Sequence, residues 1–149
     1  MDCIELGLNF EWTGVESSPG VCYLFPQEVS KHLKTRFDGP AVYRWNLFLD
    51  RPGDLGVFYV GEADLLPRRL YHYLHPGPSQ QTNKRLKQEF QERSERGQKI
   101  MLQVLSFSPF DFGNHSFGMD DLENKHLRRF LEAWLTMYHL SCGHELLNK

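Results

Sequence analysis

The chain has 149 residues, 40% hydrophobic and 24% charged, with a formal charge of −2 at neutral pH. That length suits one domain with a single core, and the composition is that of a globular protein rather than a disordered or fibrous one. No apolar run nears the roughly 20 residues that cross a bilayer, and the acidic balance excludes a protein that coats nucleic acid indiscriminately while leaving room for a local basic patch.

The opening stretch, "MDCIELGLNFEW", carries acids where a secretory leader needs basic residues, so secretion is not expected. Cys3, Cys22 and Cys142 are widely spaced, odd in number and without a CxxC pair, which suits reduced thiols and a cytoplasmic location. Residues 1–25 read as irregular, with "TGVESSPG" as a loop. Pro26 then opens a short helix in which Val29, Leu33 and Phe37 recur every four residues, ended by "DGP" at 38–40. Residues 1–39 are thus expected to be an N-terminal segment packed on a main domain of residues 40–149.

In the main domain, "AVYRWNLFLD" and "VFYV" flank the turn "DRPGDLG" and predict an antiparallel hairpin over residues 41–60. Gly61 lets the chain turn from strand to helix. The helix that follows takes Asp64 as N-cap and Pro67 in its first turn, with Leu66, Leu70 and Leu74 as its apolar ridge. Arg69 and Tyr73, four residues apart, share a neighbouring face. Residues 82–96 predict a charged helix anchored by Leu86 and Phe90, and "KIMLQVLSF" a third strand. "SPFDFGNHSFG" reads as a loop whose three phenylalanines pack locally or line a groove. The last helix has a capping box of Asp120 and Glu123. Its apolar stripe is Leu127, Phe130, Leu131, Trp134, Leu135 and Tyr138, and Gly143 is its C-cap.

Residues 79–99 hold six basic side chains against three acidic ones, with Arg68 and Arg69 shortly before them. Such a stretch is either a solvated helix face or a phosphate-binding surface. "HLSCGHE" brings His139, Cys142 and His144 close in sequence, but a single cysteine and a helix end inside the motif make it a poor zinc site. No GxSxG elbow marks a serine hydrolase.

Ala41-Val42-Tyr43 and Tyr59-Val60-Gly61 stand on the two hairpin strands, and Arg69 lies eight residues after Gly61. Tyr73 follows one turn later, Glu132 lies in the last helix, and Asn148 is near the end of the chain. This ordered set, over residues 40–148, resembles the GIY-YIG nuclease superfamily, with alanine in place of the first glycine and a long hairpin loop as departures. The resemblance implies an α/β (α+β type) fold: a small three-stranded antiparallel sheet flanked by helices, in the order ββααβα after the N-terminal segment.

It also implies a metal-dependent endonuclease that hydrolyses phosphodiester bonds with water as nucleophile, in DNA rather than RNA. Arg69 would hold the phosphate, since a guanidinium is always charged and can bind bidentately. Glu132 would hold one Mg²⁺ or Mn²⁺, an ion that needs only one or two protein carboxylates. Tyr43 would serve as general base or water-orienting group, Tyr59 would bond the water or phosphate, and Tyr73 would support Arg69. A phenol near pKa 10 can act as a base only if a guanidinium or metal lowers that value. His72 is an outside candidate for proton transfer. Arg68, Lys84, Arg85 and Lys87 would face nucleic acid, Gly61 would supply the turn, and Asn148 a structural contact. From periodicity alone, Arg69 and Glu132 read as solvated surface charges and the strand tyrosines as half-buried packing. An inactive nucleic-acid-binding module on the same scaffold is the alternative, favoured by the acidic net charge.

Overall fold

The structure, a computed structural model, describes residues 1–148. Among the described residues, nine strands and four helices follow in chain order. The N-terminal part forms β1 (Phe10–Gly14), β2 (Glu16–Ser18), β3 (Val21–Cys22) and α1 (Lys31–Arg36). Then come β4 (Ala41–Phe48), β5 (Val57–Ala63), α2 (Leu66–Leu74), α3 (Gln81–Glu95) and β6 (Lys99–Phe107). The chain closes with β7 (Phe110–Phe112), β8 (His115–Phe117), a 3₁₀ turn at Met119–Asp121, α4 (Lys125–Ser141) and β9 (Glu145–Leu146).

The main sheet has five strands in the order β1-β6-β4-β5-β9, with β9 parallel to β5 and every other pair antiparallel. Two separate two-stranded sheets, β2-β3 and β7-β8, accompany it. The expected three-stranded antiparallel sheet is therefore wrong. β4, β5 and β6 are present as its centre, but the sheet is mixed and extended at both edges. β1 escapes a pattern reading because its residues alternate only between half-buried and exposed. β9 is two residues long, and no periodicity can mark so short a strand. The "irregular" start and the phenylalanine loop each contain a small hairpin.

Alternation along the central strands sends neighbouring side chains to opposite faces. One face carries Tyr43, Trp45, Leu47, Ile100 and Leu102, covered by Leu33 of α1, Leu70 and Tyr73 of α2, and Leu86 and Phe90 of α3. The other carries Val42, Val60, Leu105 and Phe107 against Leu127, Leu131 and Leu135 of α4. Val15, Tyr23 and Phe25 join the first core, so residues 1–39 build the same hydrophobic interior as the rest. Leu66, Leu70 and Leu74 form the buried ridge of α2, whereas Tyr138 at the end of the α4 stripe is exposed.

The caps differ from expectation. α2 starts from Leu65 in an extended conformation without a side-chain cap, and the Asp64 carboxylate accepts a bond from Arg68 at 2.7 Å instead. α4 is capped by Asn124, whose Oδ1 accepts from the His126 and Leu127 N–H groups. The acids before it serve the 3₁₀ turn, where Asp121 accepts from the Gly118 N–H at 2.8 Å. The C-cap of α4 is Cys142 rather than the expected Gly143, which lies one residue further on at φ +77° as a left-handed terminator.

Candidate active site

Tyr43 on β4 lies directly across from Gly61 on β5. The strand does not end at this glycine but runs on to Ala63, so its expected role as a strand-to-helix turn is incorrect. Its reason is steric. A Cβ built on Gly61 would lie 2.5 Å from both Cζ and Oη of Tyr43, closer than any real contact. The absent side chain makes room for the phenol of the opposite strand.

That phenol meets Tyr73 of α2, with the two hydroxyls 2.6 Å apart and both residues buried. Burial pushes the pKa of each upward, Tyr73 well above 10, and the neighbouring Arg69 offsets only part of that rise. The lowered phenol pKa expected for a base at Tyr43 is not found. Tyr59, on the same face of the sheet and only partly buried, opens instead onto a cleft of about 470 Å³ with Arg69, Tyr73 and residues 79–83. Its pKa also rises, through burial and then through the Glu132 charge.

Arg69 is half-buried on the α2 wall of this cleft. Burial opposes its charge, but Tyr43, Tyr73, Glu62 and Tyr59 together outweigh that cost and raise its pKa. Its guanidinium has no hydrogen-bond or ion-pair partner among the described residues. Glu132 of α4 is likewise half-buried, and its carboxylate accepts no bond from them either. It stands outside the ring of side chains that line the cleft. Burial and then the Glu62 charge raise its pKa, against the pull of Arg69 and Arg129. Tyr43, Tyr59, Arg69 and Glu132 thus fall within one electrostatic neighbourhood, supplied by the hairpin, α2 and α4.

Two further side chains join this neighbourhood: Glu62, which the sequence offers as a solvated acid or a mild repulsion to phosphate, and Arg128, which sequence reasoning misses. Glu62 follows Gly61 and points to the α4 face, where its carboxylate accepts from Arg128 Nε at 2.7 Å. Arg128 is 5% exposed, and its Nη1 also donates to the carbonyls of Leu122 and Glu123 at 2.9 and 3.0 Å. The one signal the sequence holds for Arg128 is its position one turn before Glu132 on the same helix.

The four basic candidates are less free than their sequence suggested. Lys84 donates to the Pro78 carbonyl, Lys87 to that of Leu74 and Arg85 to that of Leu147, and Arg68 pairs with Asp64. A carbonyl bond positions a cation without neutralising it, so Lys84, Lys87 and Arg85 keep their field, and Arg85 is felt at Tyr59. Arg68 lines a different groove, with Tyr71 and Lys34. Asn148 is bound at both ends of its amide to Val60 of β5, accepting at 3.0 Å and donating at 2.7 Å. His72 is half-buried and lines none of the main clefts.

His139 and His144 turn toward each other, their Nδ1 atoms 2.9 Å apart, while Cys142 is exposed. Among the described residues no three His, Cys, Asp or Glu side chains gather as a metal site, and no helix is long and apolar enough to cross a membrane. Comparison of the chain with protein-family models, curated proteins and solved structures yields no match.

Proposed function

We propose that the protein is a GIY-YIG-like phosphodiester hydrolase acting on DNA in a reducing compartment such as the cytoplasm. The observation that carries this reading is the pair of unpartnered opposite charges, Arg69 and Glu132, in one neighbourhood with three tyrosines. A half-buried cation and a half-buried carboxylate, each without a protein partner, cost desolvation energy that ordinary folding would remove. A phosphate for the guanidinium and a cation for the carboxylate account for both.

In this reading Arg69 binds a non-bridging phosphate oxygen from the α2 wall, and the charge it neutralises is the one that grows during attack. Tyr59 orients the attacking water, being the one phenol of the three that is only partly buried. Tyr43 and Tyr73, joined through their hydroxyls, brace the wall behind Arg69 and hold its direction. The donor chemistry fits a hard divalent ion. Glu132 would hold Mg²⁺ or Mn²⁺, which takes one or two carboxylates with waters and substrate oxygens. Held there, such an ion would supply Lewis-acid stabilisation of the leaving oxygen.

A second reading, a scaffold that binds nucleic acid without cutting it, is favoured by the high pKa of all three phenols, which leaves no protein base ready in the cleft. Incubation with branched, single-stranded and duplex DNA in Mg²⁺, Mn²⁺ or EDTA separates the two. The enzyme reading expects metal-dependent cutting that Arg69→Ala and Glu132→Ala each reduce by about 10²-fold or more. Salt-sensitive binding with no cutting under any metal would overturn it in favour of the scaffold.

A further inference from the structure

Arg69 and Glu62 carry opposite charges and feel one another, yet they are not paired. Glu62 is taken by Arg128 across the α4 face at 2.7 Å, with the two side chains only 14% and 5% exposed. Arg128 is itself fixed by the two carbonyls that precede α4, so its guanidinium has one orientation and that orientation reaches Glu62. The β5 backbone separates the two arginines: Glu62 hangs toward α4, while Gly61 and Tyr59 face the side covered by α2.

We propose that Arg128 is a positioning residue that clamps the Glu62 carboxylate on the α4 side and so keeps Arg69 unpaired and open to a phosphate. Without the clamp, a partly buried carboxylate would seek an unpaired cation, because leaving either charge bare in a poorly solvated site is costly. Arg69, unpaired and already within the field of Glu62, is such a cation. Its capture would remove the phosphate-binding group without touching any residue that contacts substrate. This role rests on the phosphate-binding reading of Arg69. The clamp itself, however, can be observed without any reaction.

The test uses the full chain as wild type, Arg128→Met, Glu62→Gln and the double variant. The Nε–Hε NMR signal of Arg69, assigned by its loss in Arg69→Lys, reports the pairing directly. In wild type, with no partner for the guanidinium, it is expected to exchange rapidly with solvent. In Arg128→Met it is expected to shift and gain protection, and in the double variant to return to the wild-type position. In the cleavage assay, Arg128→Met is expected to raise KM by about ten-fold or more with a smaller change in kcat. The double variant is expected to recover KM to within about three-fold, a non-additivity that a merely structural loss would not give.

Should Arg128→Met fail to fold, Arg128→Lys keeps a charge but loses the fork, and a partial shift of the Arg69 signal is the expected result. An Arg69 signal unchanged in every folded Arg128 variant overturns the proposal. If the signal responds but wild type cuts no DNA, the clamp stands and the nuclease reading falls.

Discussion

The phenol of Tyr43 occupies the space where a side chain on Gly61 would begin, 2.5 Å from the position of a Cβ. Gly61→Ala must therefore displace the tyrosine or the strand. Because Tyr43 is buried against Tyr73 with backbone on its other side, neither can yield cheaply, and a loss of about 1–3 kcal/mol is expected in chemical denaturation. Pairing it with Tyr43→Leu, which withdraws the ring from that space, should cost less than the two single changes added together.

The Tyr43–Tyr73 hydroxyl pair makes a prediction of its own. Removing one hydroxyl leaves the other buried without that partner, so Tyr43→Phe and Tyr73→Phe should each destabilise by about 1–3 kcal/mol, and the double change by less than their sum. A bracing role also expects slower cleavage with a retained Mg²⁺ requirement. If Tyr43→Phe abolished turnover while leaving stability untouched, the hydroxyl would be reacting chemically instead, contrary to its elevated pKa.

Glu132 should trade stability for function. Its carboxyl pKa is raised above the ordinary value of 4.5 by burial and by Glu62. The native state therefore holds the proton more tightly than the unfolded chain does, and stability falls as pH rises through the native value. Glu132→Gln is accordingly expected to melt higher than wild type at pH 7, with the difference fading as pH drops below about 4.5. Mn²⁺ is expected to raise the melting temperature of wild type and EDTA to reverse that gain, and the same change should erase both effects. Both effects are read by thermal melts, with no substrate present.

His139 governs the acid side. It is 1% exposed, and burial, the Arg44 cation and His144 together lower its pKa from 6.5 to about 4. Here the unfolded chain binds the proton more tightly, so stability present above pH 6.5 is lost as pH falls toward 4. The loss is on the order of 3 kcal/mol across that window. Urea titrations between pH 7 and 4 should show it, and His139→Gln should flatten the slope.

The central strands and the four helices were legible because their apolar residues repeat at strand or helix period: Trp45 and Leu47 on β4, the Leu66–Leu70–Leu74 ridge, Leu127 through Leu135 on α4. The edges were not. β9 is held by the Asn148 amide and a parallel register rather than by any pattern of its own. α1 is shorter than its apolar repeat suggests: it begins at Lys31, where the Ser30 hydroxyl caps it by accepting from the Leu33 N–H. At the candidate site, spacing placed Arg69 and Glu132 on the right elements, but only the three-dimensional arrangement reveals that both lack protein partners. Arg128 was invisible for the opposite reason: its partner Glu62 lies 66 residues away in sequence, beyond any local periodicity.

The first 39 residues carry a practical consequence. Val15, Tyr23, Phe25 and Leu33 are buried beneath the same sheet that bears Tyr43, and β1 covers the outer edge of β6. Trimming the gene to the stretch that looks like a nuclease would strip this wall and leave a long bare strand available for fibrillar stacking. The portion without a familiar motif is the part the rest of the fold leans on.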